Sequence, residues 1–255
     1  MLNHKNIFRI KKMGKGKYEE IGSLSERRSL AFFTLGLIAA QVIGIIMIIL
    51  VGSWLGNYRG GYGWDVSKVF NYHPLFMTIG MIFLYGDAML VYRAFRQTTK
   101  LYVKILHGII QVAVFVFAAV ALKAAFDSHN KAPKPIPNMY SLHSWVGLAA
   151  VILFGMQWVC GFVSFLFPKL SDGLRRMYLP HHKFWGVAIF GLCVAAALMG
   201  ITEKAFFSLP NGQYSTLPGE GVLINFFGSF VVIFGVLVIY LVTKTDFARP
   251  ADPIN

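Results

Sequence analysis

Residues Leu30–Gly52 read LAFFTLGLIAAQVIGIIMIILVG, 23 residues without a charged side chain. A helix crosses the hydrocarbon of a bilayer with roughly 20 residues. No water is available there to take backbone hydrogen bonds, so such a stretch must be helical. The run is too long, and begins too far into the chain, for the apolar core of a signal peptide. The 29 polar residues before it therefore read as a retained tail.

The same signature recurs along the chain. Ile105–Leu122, Trp145–Phe167, Phe184–Thr202 and Gly221–Thr243 are also free of charge, and Val69–Tyr92 carries a single charged residue, Asp87. The connecting segments hold loop-forming residues, such as Gly60-Gly61-Tyr62-Gly63 and Lys131-Ala132-Pro133-Lys134-Pro135. The whole chain is 56% hydrophobic and only 14% charged, with a mean hydropathy of +0.59. A water-soluble domain carries roughly 25% charged residues, so this chain lacks the polar surface for life in water. Intrinsic disorder and a collagen-like fibre are excluded on the same grounds, and two cysteines, both in apolar runs, make no disulfide framework. The predicted class is all-α: a six-transmembrane-helix bundle. Residues 1–29 form a basic tail, 30–244 the membrane domain, and 245–255 a second short tail.

Charge sets the orientation. With the spans numbered one to six, one face receives residues 1–29, the 2–3 and 4–5 loops and the C-terminus. That face holds 18 of the 24 basic residues. By the positive-inside rule both termini are cytoplasmic. The net charge of +13 then lies against anionic lipid, and nucleic acid is not needed as a partner.

Four of the seven histidines share a position. His73, His107, His143 and His182 each lie near the start of spans two, three, four and five, at intervals of 34, 36 and 39 residues. Successive spans enter from opposite faces, so His73 and His143 share one depth and His107 and His182 the other. In an up-down four-helix core, spans two and four are diagonal partners, as are three and five. Each pair therefore points into the bundle centre, the axial arrangement for a b-type haem. Two haems b, one per leaflet, would carry an electron across the membrane. His4 reads as a solvated tail residue. His181 points about 100° away from His182, so one of the two neighbours faces a given iron. His129 falls in the 3–4 loop, either as a surface residue or as an exposed metal contact. Intramembrane histidines also relay protons, and a haem-free transporter or channel is the competing class. That class calls for inverted repeats or broken spans, and the sequence displays neither.

Several motifs carry a resemblance. Met89-Leu90-Val91-Tyr92-Arg93 ends span two, and Asn138-Met139-Tyr140-Ser141-Leu142-His143-Ser144-Trp145 opens span four. Pro180-His181-His182 and Ala197-Leu198-Met199-Gly200-Ile201-Thr202-Glu203-Lys204 flank span five. Together with Tyr214-Ser215-Thr216 and Pro218-Gly219-Glu220-Gly221-Val222, they resemble the cytochrome b561 family over roughly residues 50–245. The likeness is strongest to the animal, ascorbate-dependent transmembrane oxidoreductases of that family.

The resemblance implies roles. The Pro-x-His pattern selects His182 over His181. Arg93 and Lys100 pair with haem propionates at the cytoplasmic surface, while Lys100, Lys104 and Arg175 hold ascorbate, an anion at neutral pH. On the outer face, Asn138, Met139, Tyr140 and Ser141 anchor a propionate at a helix N-terminus, and Glu203 lies beside the same haem. His129 matches an external iron contact. The acceptor is ferric iron or monodehydroascorbate, the membrane is that of the cell surface or of a secretory or endo-lysosomal vesicle, and a homodimer is in keeping with the family. Asp87 departs from the pattern; its expected partner is a basic residue at the inner interface.

Overall fold

The computed structural model describes residues 4–249, with side chains from residue 24 onward. The side chain of His4 and residues 250–255 of the C-terminal tail lie outside the described residues. Six helices are long and apolar enough to cross a membrane, and no strand occurs among the described residues. We label them α1 (His4–Tyr58), α2 (Val69–Ala94), α3 (Lys100–Asn130), α4 (Leu142–Phe165), α5 (Asp172–Ser208) and α6 (Gly219–Thr243). The chain is a multi-pass membrane protein.

The helices outrun the apolar stretches that reveal them. α3 extends to Asn130, so His129 occupies its last turn and not a loop. α5 begins at Asp172 and takes Pro180 into its body. Loss of one N–H at Pro180 costs a helix rung, and it falls just ahead of His181 and His182.

α2 is the irregular member. It starts as a 3-10 turn (Val69–Asn71), becomes α-helical (Tyr72–Met77), widens to a π segment (Thr78–Leu84) and closes as α-helix (Tyr85–Ala94). Pro74 follows directly on the 3-10 turn and lacks the N–H that would continue its ladder. The π segment shifts the phase of everything beyond it, since each turn holds an extra residue.

α2–α5 form the central four-helix core, with α2 on α3 and α4 on α5, while α6 packs against α5 and α2 and α1 packs chiefly on α6. Small residues let the outer pair approach. Phe234 of α6 fits between Gly44 of α1 and Gly86 of α2, where an added Cβ would lie 3.2 and 2.9 Å from its ring. At mid-height the core closes on aromatic rings. Tyr85 lies 5.1 Å from Phe154 and 5.6 Å from Phe190, and Phe115 stacks on Phe154 at 6.4 Å. The Tyr85 hydroxyl donates to the Gly186 carbonyl at 3.0 Å.

Candidate functional site

The four sequence-marked histidines come together as two pairs, one at each end of the core. His73 stands on the first α turn of α2 and His143 on the first turn of α4. Their ring centroids are 6.0 Å apart, with planes at 81°. The start of α4 is fixed by a capping box: the Ser141 hydroxyl accepts from the Ser144 N–H at 3.3 Å, and the Ser144 hydroxyl accepts from the Ser141 N–H at 3.2 Å. Each imidazole is steered from the neighbouring helix. His73 Nδ1 meets the Ala121 carbonyl at 3.1 Å, and His143 Nδ1 meets the Ala196 carbonyl at 2.8 Å. A carbonyl only accepts, so Nδ1 carries the proton and Nε2 keeps its lone pair for a metal.

The opposite end repeats the plan. His107 of α3 and His182 of α5 have centroids 6.4 Å apart and planes at 70°. His107 Nδ1 donates to the Ala88 carbonyl at 2.7 Å. His182 breaks the pattern: its Nδ1 is buried without a partner. Tyr92 lies 5.6 Å from His107, and Phe165 and Tyr178 lie 5.2 and 5.9 Å from His182. His181 is exposed, while His182 faces His107 across the core.

Two glycines make room for the rings. A Cβ on Gly200 would lie 2.6 Å from His143 Cε1, and one on Gly161 would lie 2.9 Å from His182 Cε1. Tyr85, Phe154 and Phe190 are the buried rings between the pairs, and the half-exposed Phe115 backs Phe154. Tyr85 lies between His73 and Ala88 on α2, Phe154 between His143 and Gly161 on α4, and Phe190 between His182 and Ala196 on α5.

Both pairs fit an axially ligated iron. Two metal–imidazole bonds of about 2 Å plus two half-rings span about 6 Å between centroids. Beside His73 and His143 lies a cavity of about 640 Å³, lined by apolar groups including Met77, Met81 and Ile82, with Asn138–Ser141, Glu203 and Lys204 at its polar margin. That volume suits a cofactor-sized ligand. Among the described residues, no three His, Cys, Asp or Glu side chains gather into a protein-only metal cage. A porphyrin, which brings its own equatorial nitrogens, needs none.

Other sequence-marked residues distribute as follows. Glu203 Oε2 accepts from the Ser141 hydroxyl at 3.0 Å, joining α5 to the cap of α4. Met139 has a positive φ of 58°, and its carbonyl accepts from Trp145 Nε1 at 2.8 Å. Tyr140 lines the cavity. His129 Nδ1 lies 3.1 Å from Asn138 Oδ1, so both residues share that rim. At the His107 end, Lys104 Nζ donates to the Phe165 carbonyl at 3.3 Å, bringing it alongside His182. Lys100 opens α3 and is exposed. Arg175 pairs with Asp172 one turn back.

Arg93 Nη1 donates to the Lys244 carbonyl, tying α2 to the end of α6. One expectation is corrected. Among the described residues Asp87 meets no basic partner; Gln41 Nε2 of α1 donates to it at 2.6 Å. A carboxyl within a span needs a donor, and an amide supplies one without a second charge to desolvate.

Sequence reasoning missed one buried constellation. Glu220, 5% exposed, accepts from Trp54 Nε1 at 2.8 Å and from Arg59 Nη2 at 2.6 Å. The available signal was a lone carboxylate opening span six and a lone arginine closing span one.

A six-span helical protein whose core holds two opposed histidine pairs has the build of a transmembrane b-type cytochrome. The family described as eukaryotic cytochrome b561 matches residues 72–208. The chain is 48% identical over 213 residues to the transmembrane ascorbate-dependent reductase CYB561 of Mus musculus, covering 84% of each. It is 45% identical over 213 residues to the same-named protein of Homo sapiens, again 84% of each. It is 43% identical over 223 residues to the plasma membrane ascorbate-dependent reductase CYBRD1 of Xenopus tropicalis, covering 86% of this chain and 78% of the relative. The chain belongs to the cytochrome b561 family, and the family implies b-type haem.

Proposed function

We propose that the protein carries electrons across its membrane from ascorbate on the cytoplasmic side to ferric iron or monodehydroascorbate on the other. His73 with His143 and His107 with His182 would each hold one haem b, and each haem would supply a reversible one-electron iron couple. The observation that carries this reading is the presence of two matched histidine pairs at opposite ends of one four-helix core. Six-coordinate iron leaves no open position for oxygen, which favours electron transfer over oxygen chemistry. The names of the relatives supply ascorbate as the donor.

The His107 end faces the cytoplasm, because the loops on that side carry most of the basic residues. There Lys100, Lys104 and Arg175 attract and orient the ascorbate anion. At the His73 end, Asn138–Ser141 and Glu203 border the haem, and His129 with Asn138 is placed to meet a metal. The setting is the plasma membrane or a secretory or endo-lysosomal vesicle, with a homodimer as the assembly.

The test is holoprotein in liposomes loaded with ascorbate, each acceptor offered outside in turn, beside visible spectra of variants. His143→Ala should lose one haem and leave the other reducible by ascorbate, whereas His107→Ala should lose fast ascorbate reduction. His181→Ala should keep both haems. If His143→Ala and His107→Ala lose the same spectral component, the pairing is wrong.

A further inference from the structure

A second cleft, of about 410 Å³, opens beside the cavity at the His73 end, lined by Tyr58, Arg59, Gly60, Ser67, Lys68, Phe70, Asn71 and Lys204. Its wall holds three cations and no carboxylate. The backbone there is built for it. α1 stops where Gly60 and Gly61 both take φ of +77°, a region that costs glycine nothing. Asn71 Nδ2 then donates to the Arg59 carbonyl at 2.9 Å and the Gly61 carbonyl at 2.6 Å, pinning this turn to the start of α2.

The cations are held in different ways. Arg59 gives one edge to Glu220, which stands behind the wall, while its Nε–H is buried with no acceptor. An unanswered buried donor is costly, and more so on a charged group. Lys68 faces solvent, with Asp65 at 3.9 Å as its exposed partner. Asp65 stays ionised to below the usual carboxylate range, chiefly because the Ser67 hydroxyl donates to it. Lys204 lies with Nζ 4.4 Å above the Phe70 ring. The Phe70 ring lies in turn 5.7 Å from His73. Phe70 and Lys204 line both the cleft and the cavity, so they are the wall between them.

We propose that this cleft of Arg59, Lys68 and Lys204 docks the electron acceptor as a small oxygen-rich anion, one aromatic ring away from His73. The proposal rests on the electron-transfer reading above and adds the residues that would select the acceptor. The shared chemistry is delocalised negative oxygen, presented by monodehydroascorbate or by a ferric carboxylate chelate. Monodehydroascorbate takes one electron and one proton to give the ascorbate monoanion; ferric citrate takes one electron and becomes ferrous citrate. In both cases the electron originates in ascorbate on the other side.

The experiment compares wild type, Lys68→Gln and Lys68→Gln/Lys204→Gln holoprotein in ascorbate-loaded liposomes. The external acceptors are monodehydroascorbate, ferric citrate and the cation hexaamminecobalt(III). The variants should raise KM for the anions, by roughly tenfold in the double variant, the low end of what a charged cleft contributes to encounter. With Lys68→Gln the cobalt cation should react no more slowly than with wild type. A shift for one anion alone supports the cleft and identifies that anion as its ligand. An unchanged KM for both anions overturns the proposal. Should Lys204→Gln lower haem content, Lys68→Gln decides, because Lys68 lines the cleft and not the cavity. If wild type passes electrons to no acceptor, it is the electron-transfer reading that fails.

Discussion

Replacing Gly200 with alanine adds one methyl group where His143 already stands. That Cβ would lie 2.6 Å from His143 Cε1 and 2.8 Å from its Nδ1. Carbon atoms rest at about 3.5–4.0 Å, so the ring has to retreat by about 1 Å. It cannot do so and keep its 2.8 Å bond to the Ala196 carbonyl, which comes from the same helix as the new methyl. Overpacking of this kind costs about 1–3 kcal/mol. At 1.4 kcal/mol per tenfold, haem at the His73–His143 pair should bind roughly 5- to 150-fold more weakly. Alanine also raises helix propensity by about 1 kcal/mol, so global stability alone is a poor readout. Gly191→Ala supplies the control: it lies on the same helix, gains the same propensity, and its Cβ meets nothing within 4 Å. Gly161→Ala, at 2.9 Å from His182, should weaken the other pair. The assay is haem per protein with low-temperature absorption spectra of purified holoprotein. The reasoning is refuted if Gly200→Ala matches Gly191→Ala in haem content and spectrum.

Neutralising Lys100, Lys104 and Arg175 together should slow haem reduction by ascorbate in stopped flow and flatten its salt dependence. Surface attraction is screened over about 10 Å at 0.1 M salt, so wild type should slow as salt rises. An uncharged reductant should react with variant and wild type alike, and an unchanged ascorbate rate would return the three cations to a purely topological role. Glu220→Ala should lower the thermal unfolding midpoint, because it leaves the Trp54 Nε1–H unanswered and the partly buried Arg59 without its carboxylate, at a cost of about 1–3 kcal/mol. Adding Arg59→Met should recover much of that loss; a double variant no better than the single one would mean the pair contributes little.

The six spans were legible because each needs a run of uncharged residues, and the four paired histidines were legible because their spacing repeats span plus loop. The pairing of His73 with His143 and of His107 with His182 followed from counting faces. What steers the rings was not legible: Ala121, Ala88 and Ala196 act through backbone carbonyls, which every residue has, so their side-chain identities announce nothing. Gly161 and Gly200 look like ordinary membrane-helix glycines until their neighbours across the core are known. The Asp87–Gln41 pair was hidden because a charge invites a search for its opposite, while the structure answers it with an amide. Arg59, Trp54 and Glu220 are far apart in the chain, and the π segment of α2 leaves no periodic mark in an all-apolar run.

The layer of Tyr85, Phe154 and Phe190 also acts as insulation. Its rings are close-packed, Tyr85 and Phe154 are each 2% exposed and Phe190 is fully buried, and the Tyr85 hydroxyl is already committed to the Gly186 carbonyl. A proton wire needs successive groups that both give and take hydrogen bonds, and an ion needs water or dipoles around it; this septum offers neither. On the proposed function, electrons alone would tunnel through such a barrier, and each transfer would be uncompensated by any ion moving through the same core. Across an energised membrane that would make the protein a current source, gaining up to about 2.3 kcal/mol per electron for each 100 mV, inside negative, over a full crossing.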